Sequence, residues 1–230
     1  MEYSITSFFR RFSSDFIKIL ACVTMLIDHA AVVFNVYSVY PLLYTSMRTI
    51  GRLSFPLFCF LIVQGFRYTK NVKMYALRLL ALAVLSEVIF DYVFYHAFFS
   101  WRGQNVVFTL FIGLLVLIGV RYFNNRTLAV IGFAFLGCTV AYLLNSDYRA
   151  MGVLMILFFY YKQYDRLGSI VGIIILNVIN WNIQAFATFS LIFTEMYKEK
   201  ERRLPKYFFY LFYPVHLIVL LLLKELFVIL

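Results

Sequence analysis

Asp28 and His29 stand side by side in the apolar run IKILACVTMLIDHAAVVFNV, which carries no other charge beyond Lys18. A second histidine, His216, stands in a comparable run, KYFFYLFYPVHLIVL, near the opposite end of the sequence. Ionisable side chains in a hydrocarbon-facing helix are expensive, so each marks a functional site by default. Two such histidines with a neighbouring carboxylate suit the removal of a proton from a hydroxyl or amine nucleophile. The same residues would serve a proton-coupled carrier.

Two further charge pairs lie at helical i, i+4 spacing, Arg48 with Arg52 and Glu87 with Asp91, so each pair shares one face of its helix. Counted at about 1.5 Å per residue across a core about 30 Å thick, Asp28 falls roughly 18 Å and His216 roughly 14 Å from the inner edge. The two histidines could therefore share one cavity. On the same scale the depths of Arg52 and Glu87 match, as do those of Arg48 and Asp91, which predicts ion pairs between them. Polar groups also gather near the outer ends of the apolar runs: Gln104, Asn105 and Thr109; Asp147, Tyr148 and Arg149; Asn180, Asn182 and Gln184. They are expected to cap helix ends, or to line an outward-opening vestibule.

The elements that must position these residues are membrane helices. The chain is 230 residues long and 63% hydrophobic, against about half for soluble domains; its mean hydropathy is +0.85. No stretch is long and polar enough for a separate soluble domain, so residues 1–230 read as one all-α, polytopic membrane domain. Nine apolar segments can be marked: Phe16–Val36, Ser46–Phe66, Met74–Phe94, Asn105–Tyr122, Leu128–Leu144, Ala150–Tyr161, Leu167–Ile179, Ile183–Tyr197 and Tyr207–Val228. Basic residues fall in alternate connections, which by the positive-inside rule places the N-terminus in the cytoplasm.

The formal charge of +10 does not indicate nucleic acid, because the basic residues are scattered singly between apolar runs. Cys22, Cys59 and Cys138 form no CxxC and no Cys/His cluster, so neither a disulfide framework nor a metal site is favoured. P-loop, GxSxG and HExxH motifs are absent.

The stretches KILACVTMLIDHAAVVF, GRLSFPLFCFLIVQGFRYT, YALRLLALAVLSEVIFD, QNVVFTLFIGLL, DYRAMGVL and KYFFYLFYPVHLIVL, in this order, resemble the TraX family of membrane proteins over nearly the full chain. Its polar landmarks fall on Asp28 and His29, Gly51 and Arg52, Ser86 and Glu87, Gln104 and Asn105, and His216. The family is named for a conjugation protein that acetylates the N-terminus of pilin. The resemblance therefore implies acetyl or acyl transfer at a membrane, with acetyl-CoA as donor and a pilin, another exported peptide or a glycan as acceptor. On that basis His29 is the expected general base, oriented by Asp28 or another carboxylate, with His216 a second acid/base group or the holder of the acyl group. Glu87 is the further catalytic candidate, and Arg52, Arg48, Asp91, Gln104, Asn105 and Tyr148 are expected to bind substrate. The CoA phosphates would meet the basic inner face, where Arg67, Lys70, Arg203 and Lys206 lie. A small proton-coupled transporter is the alternative, although no internal repeat is evident to support it.

Overall fold

A computed structural model describes residues 12–124, 126–179, 182–198 and 205–229. Its regular elements are helical: α1 (Ser14–Val33), α2 (Pro41–Gly51), α3 (Ser54–Tyr68), α4 (Val72–Tyr95), α5 (Val106–Tyr122), α6 (Thr127–Leu143), α7 (Arg149–Tyr161), α8 (Arg166–Val178), α9 (Ser190–Glu195) and α10 (Lys206–Ile229). Short 3₁₀ turns cover Val36–Ser38 and Ile183–Phe189. Among the described residues three stretches are long and apolar enough to cross a membrane: Ser14–Val33, Pro41–Tyr68 and Phe209–Leu226. Helix α4 has the length, but Lys73, Arg78, Glu87 and Asp91 give it a different character. The other apolar helices are shorter; α7, with 13 residues, spans only about 20 Å against a hydrocarbon core of about 30 Å.

The chain divides into two compact units, residues 1–61 with 177–230, and residues 62–176. In the first, α1 packs against α2 and α10. Helix α1 begins where the Ser13 hydroxyl accepts the Phe16 N–H at 3.2 Å, with Asp15 favourably placed in the first turn. Its buried stripe includes Ile17, Ala21, Thr24, Asp28 and Ala31, at alternating steps of four and three residues. Asp28 thus belongs to the face that meets other helices, while Phe16, Ile19 and Val23 are exposed on another face, as a lipid-facing surface requires. Lipid tails are as apolar as leucine, so close packing and polar bonds, rather than burial from water, must hold such helices together. One of these bonds runs from the Ser54 hydroxyl to the Ala21 carbonyl, 2.9 Å.

The expected single helix Ser46–Phe66 is replaced by α2 and α3, with a break at Arg52 and Leu53. Pro56 supplies the reason: it has no N–H for the Arg52 carbonyl four residues back, and its ring would clash with that carbonyl in an uninterrupted helix. In the first turn of a new helix the missing donor costs nothing. At the break, the Leu53 N–H bonds instead to the Ile50 carbonyl three residues back. The expected segment Ile183–Tyr197 also differs, being a 3₁₀ turn followed by the six residues of α9.

In the second unit α5 packs against α4, α6 and α7. Gly113 allows the α5–α7 approach, since a Cβ there would lie 2.2 Å from the Ile156 side chain. Helix α4 starts at Asn71, whose side chain accepts the Met74 N–H at 2.9 Å, and stops at His96, which adopts the left-handed conformation with φ 54°.

Candidate functional site: a histidine pair and a carboxylate held by two arginines

Neighbouring residues on a helix point about 100° apart, and α1 uses this to send Asp28 and His29 to different partners. Asp28 meets the helix that follows it. The Arg52 guanidinium donates to Oδ1 of Asp28 at 2.7 Å, and that of Arg48 donates to Oδ2. Arg52 Nε also donates to the Arg48 carbonyl at 3.3 Å, so the i, i+4 pair acts as one claw. Gly51 makes the approach possible: a Cβ at this position would stand 2.2 Å from Asp28 Oδ1. Two guanidiniums around one carboxylate leave one positive charge in excess, with Asp28 only 7% exposed and both arginines partly open.

His29 meets the last helix. Its Nδ1 lies 2.7 Å from Nε2 of His216, and the Nδ1 of His216 lies 2.9 Å from the Phe212 carbonyl. The two imidazole planes are 11° apart with centroids 5.0 Å apart. Phe212 lies parallel to the His216 ring, centroids 5.1 Å, and Tyr213 presents an edge at 5.6 Å. His216 is buried and His29 half-buried, so the pair has a closed end and a more open one. The shared cavity expected from matching depths becomes a direct contact. This arrangement can accept a proton at one ring and stabilise the resulting charge through the other.

The ion pairs expected from depth, Arg52 with Glu87 and Arg48 with Asp91, are replaced, because Asp28 takes both arginines. Depth fixes a residue's position along a helix axis but not the direction in which it faces. Glu87 instead anchors the start of α5: its Oε2 accepts the Asn105 N–H at 3.0 Å and the Asn105 side-chain amide. Asn105 also donates to the Ala83 carbonyl at 2.9 Å and accepts the Val107 N–H at 3.0 Å as helix cap. Asp91 Oδ2 accepts the Ser100 N–H at 2.6 Å. Both carboxylates thus fasten the segment between α4 and α5, and one oxygen of each is buried without a partner among the described residues.

Gln104 and Thr109 do meet the segment Asn145 to Asp147, while Asn105 turns to Glu87. Gln104 N–H bonds to the Asn145 carbonyl at 3.1 Å, Asp147 N–H to the Gln104 carbonyl at 3.0 Å, and the Thr109 and Ser146 hydroxyls are 3.0 Å apart. Tyr148, with φ 61°, caps α7. These groups satisfy one another, as closure of helix ends requires. In the other unit Asn182 accepts the Gln184 N–H at 2.8 Å, a local cap of the same kind; Asn180 lies outside the described residues.

The basic residues expected to meet CoA are placed less informatively. Arg67 donates to the Tyr160 carbonyl at 3.0 Å near the end of α7, where a cation complements the helix dipole. Lys70 is exposed between α3 and α4, Arg203 lies outside the described residues, and Lys206 opens α10 with only its backbone described. The residues that sequence reasoning missed are Gly51, in its role of admitting Asp28, together with Phe212 and Tyr213. The first could have been suspected from Gly51 standing beside an intramembrane arginine; a backbone carbonyl acting on His216 leaves no mark in residue types.

An all-helical, membrane-type protein with a histidine pair and an arginine-clasped carboxylate on facing helices is the class defined by this geometry. A family model described as TraX protein matches residues 13–224, and the chain belongs to the TraX family. It is also similar to a probable fimbrial assembly protein FimC, serogroup H1, of Dichelobacter nodosus, 28% identical over 249 aligned positions that cover 91% of this chain and 94% of the relative. No solved structure matches.

Proposed function

We propose that this protein transfers an acetyl or other short acyl group from acyl-CoA to an amine or hydroxyl acceptor in a bacterial cytoplasmic membrane, the acceptor being a pilin-type or other exported polypeptide. The observation that carries the reading is the 2.7 Å contact between His29 and His216 inside two apolar helices, next to Asp28 with its two arginines. Family membership and the name of the fimbrial relative support a pilus-related substrate.

In this reaction His29 takes the proton from the acceptor nitrogen or oxygen as that atom attacks the thioester carbonyl. The carbonyl oxygen gains charge as the tetrahedral intermediate forms, and the positive charge in excess around Asp28 favours it. Collapse breaks the carbon–sulfur bond, the acyl group stays on the acceptor, and the proton held by His29 passes to the departing sulfur. The products are the acylated acceptor and CoA with a free thiol. A topology of nine spans with a cytoplasmic N-terminus would bring acyl-CoA to the basic inner face.

The test uses the purified chain in lipid vesicles with radiolabelled acetyl-CoA and a peptide carrying a pilin-type N-terminus. Stoichiometric CoA release and label on the peptide amine are expected. Absence of both, with proton flux through the vesicles, would replace the reading with a proton-coupled transporter.

A further inference from the structure

We infer that His216 is a positioning residue, one that fixes His29 as the tautomer with its proton on Nδ1 and its basic lone pair on Nε2. The inference rests on the acyl-transfer reading for its purpose but on hydrogen-bond logic for its content. A carbonyl oxygen can only accept, so the 2.9 Å contact with the Phe212 carbonyl requires a proton on Nδ1 of His216. The neutral ring then has its lone pair on Nε2, and the 2.7 Å contact to His29 needs a donor there. His29 Nδ1–H is that donor, which makes Nε2 of His29 the basic nitrogen. The near-parallel planes, 11° apart, allow the N–H to lie along the ring plane toward the lone pair.

The opposite direction of donation would require His216 to be an imidazolium. That ring is 4% exposed, and Asp28, the carboxylate adjoining His29 in sequence, is already clasped by Arg48 and Arg52. An additional buried cation there is costly. Rotation of His216 to another arrangement is opposed by Phe212 parallel to its ring and by Tyr213 packed against it at a steep angle. The order therefore begins at a backbone atom, which no side-chain substitution removes, and passes through His216 to His29.

During transfer the acceptor's proton moves to Nε2 of His29 and later to the departing sulfur. His29 keeps donating from Nδ1 throughout, so its transient positive charge is stabilised while His216 neither gains nor loses a proton. This differs from a second acid/base group, and the difference is measurable. Glutamine at position 216 can place an amide oxygen where Nε2 lies and still accept from His29, whereas leucine cannot.

Nitrogen NMR of the full chain, with labelled histidine and reconstituted in nanodiscs, reads the tautomer directly, with His29→Ala used for assignment. A protonated Nδ1 and an unprotonated Nε2 on His29 are expected in the native protein and in His216→Gln, with mixed tautomers in His216→Leu. Acetyl transfer should fall at least about 10- to 100-fold in His216→Leu, the cost of losing a partner that orients a metal-bound imidazole, and return to within a few-fold of native in His216→Gln. A native His29 protonated on Nε2 overturns the inference whether or not the variants fold. So does a His216→Gln protein that keeps the tautomer yet is as inactive as His216→Leu, because His216 would then be moving protons itself. Lack of transfer by the native protein would instead defeat the acyl-transfer reading and leave the tautomer to the spectrum.

Discussion

Asp28 in one compact unit and Glu87 with Asp91 in the other are carboxylates set in largely apolar helices, but they keep different company. Asp28 is clasped by two guanidiniums beside a histidine pair. Glu87 and Asp91 accept only uncharged donors in their identified bonds, the Asn105 amides and the Ser100 N–H, and all of these close the turn between α4 and α5. The first arrangement concentrates positive charge and proton-accepting nitrogen where a reacting carbonyl could use them. The second ends a helix, spans a turn and starts another. Burial and residue type alone would assign all three carboxylates to one class; their partners separate them.

Substitutions can break this contrast, in order of expected effect. Asp28→Asn leaves two guanidiniums without their carboxylate and should lower stability by about 3 kcal/mol, the lower end for breaking a buried pair because the arginines are partly open. Thermal unfolding in detergent measures it, and the double substitution Asp28→Asn with Arg52→Gln should lose less than the sum of the two. Gly51→Ala pushes against Asp28 Oδ1 and should cut acyl transfer about 10- to 100-fold, as expected for displacing a catalytic group by about an ångström. Initial rates at matched helical content check this. Glu87→Ala strands the Asn105 N–H and should cost about 1–3 kcal/mol, with faster hydrogen exchange between residues 96 and 105 as its signature. A loss of transfer by folded Glu87→Ala as large as that from a His29 substitution would erase the distinction between the two regions. Gly132→Ala serves as the control: a Cβ there meets nothing within 4 Å, so the helix should gain up to about 1 kcal/mol.

Part of this was legible in residue order. The apolar runs around Asp28 and His216 became α1 and α10, and counting residues from their ends placed the two histidines at similar depth. The arginine pairing was not legible, because an i, i+4 spacing says that Arg48 and Arg52 share a face without saying which helix that face meets. The break before α3 falls just ahead of Pro56, inside a run that hydropathy alone joins from Ser46 to Phe66. The polar residues Gln104 and Asp147 stand beside helix ends, as residue order suggests, and the structure adds that they close on each other. Membrane crossing follows a similar pattern: among the described residues three stretches are both long and apolar enough, while the short α7 and α8 are apolar with fewer turns.

The central claim is that His29 is the base for acyl transfer. It is tested most directly by the initial rate of labelled acetyl incorporation into a pilin-type N-terminal peptide, comparing native protein with His29→Ala at equal folded concentration. The account predicts a fall of about 10²- to 10⁴-fold, the usual contribution of a general base. Equal rates in the two proteins would contradict it.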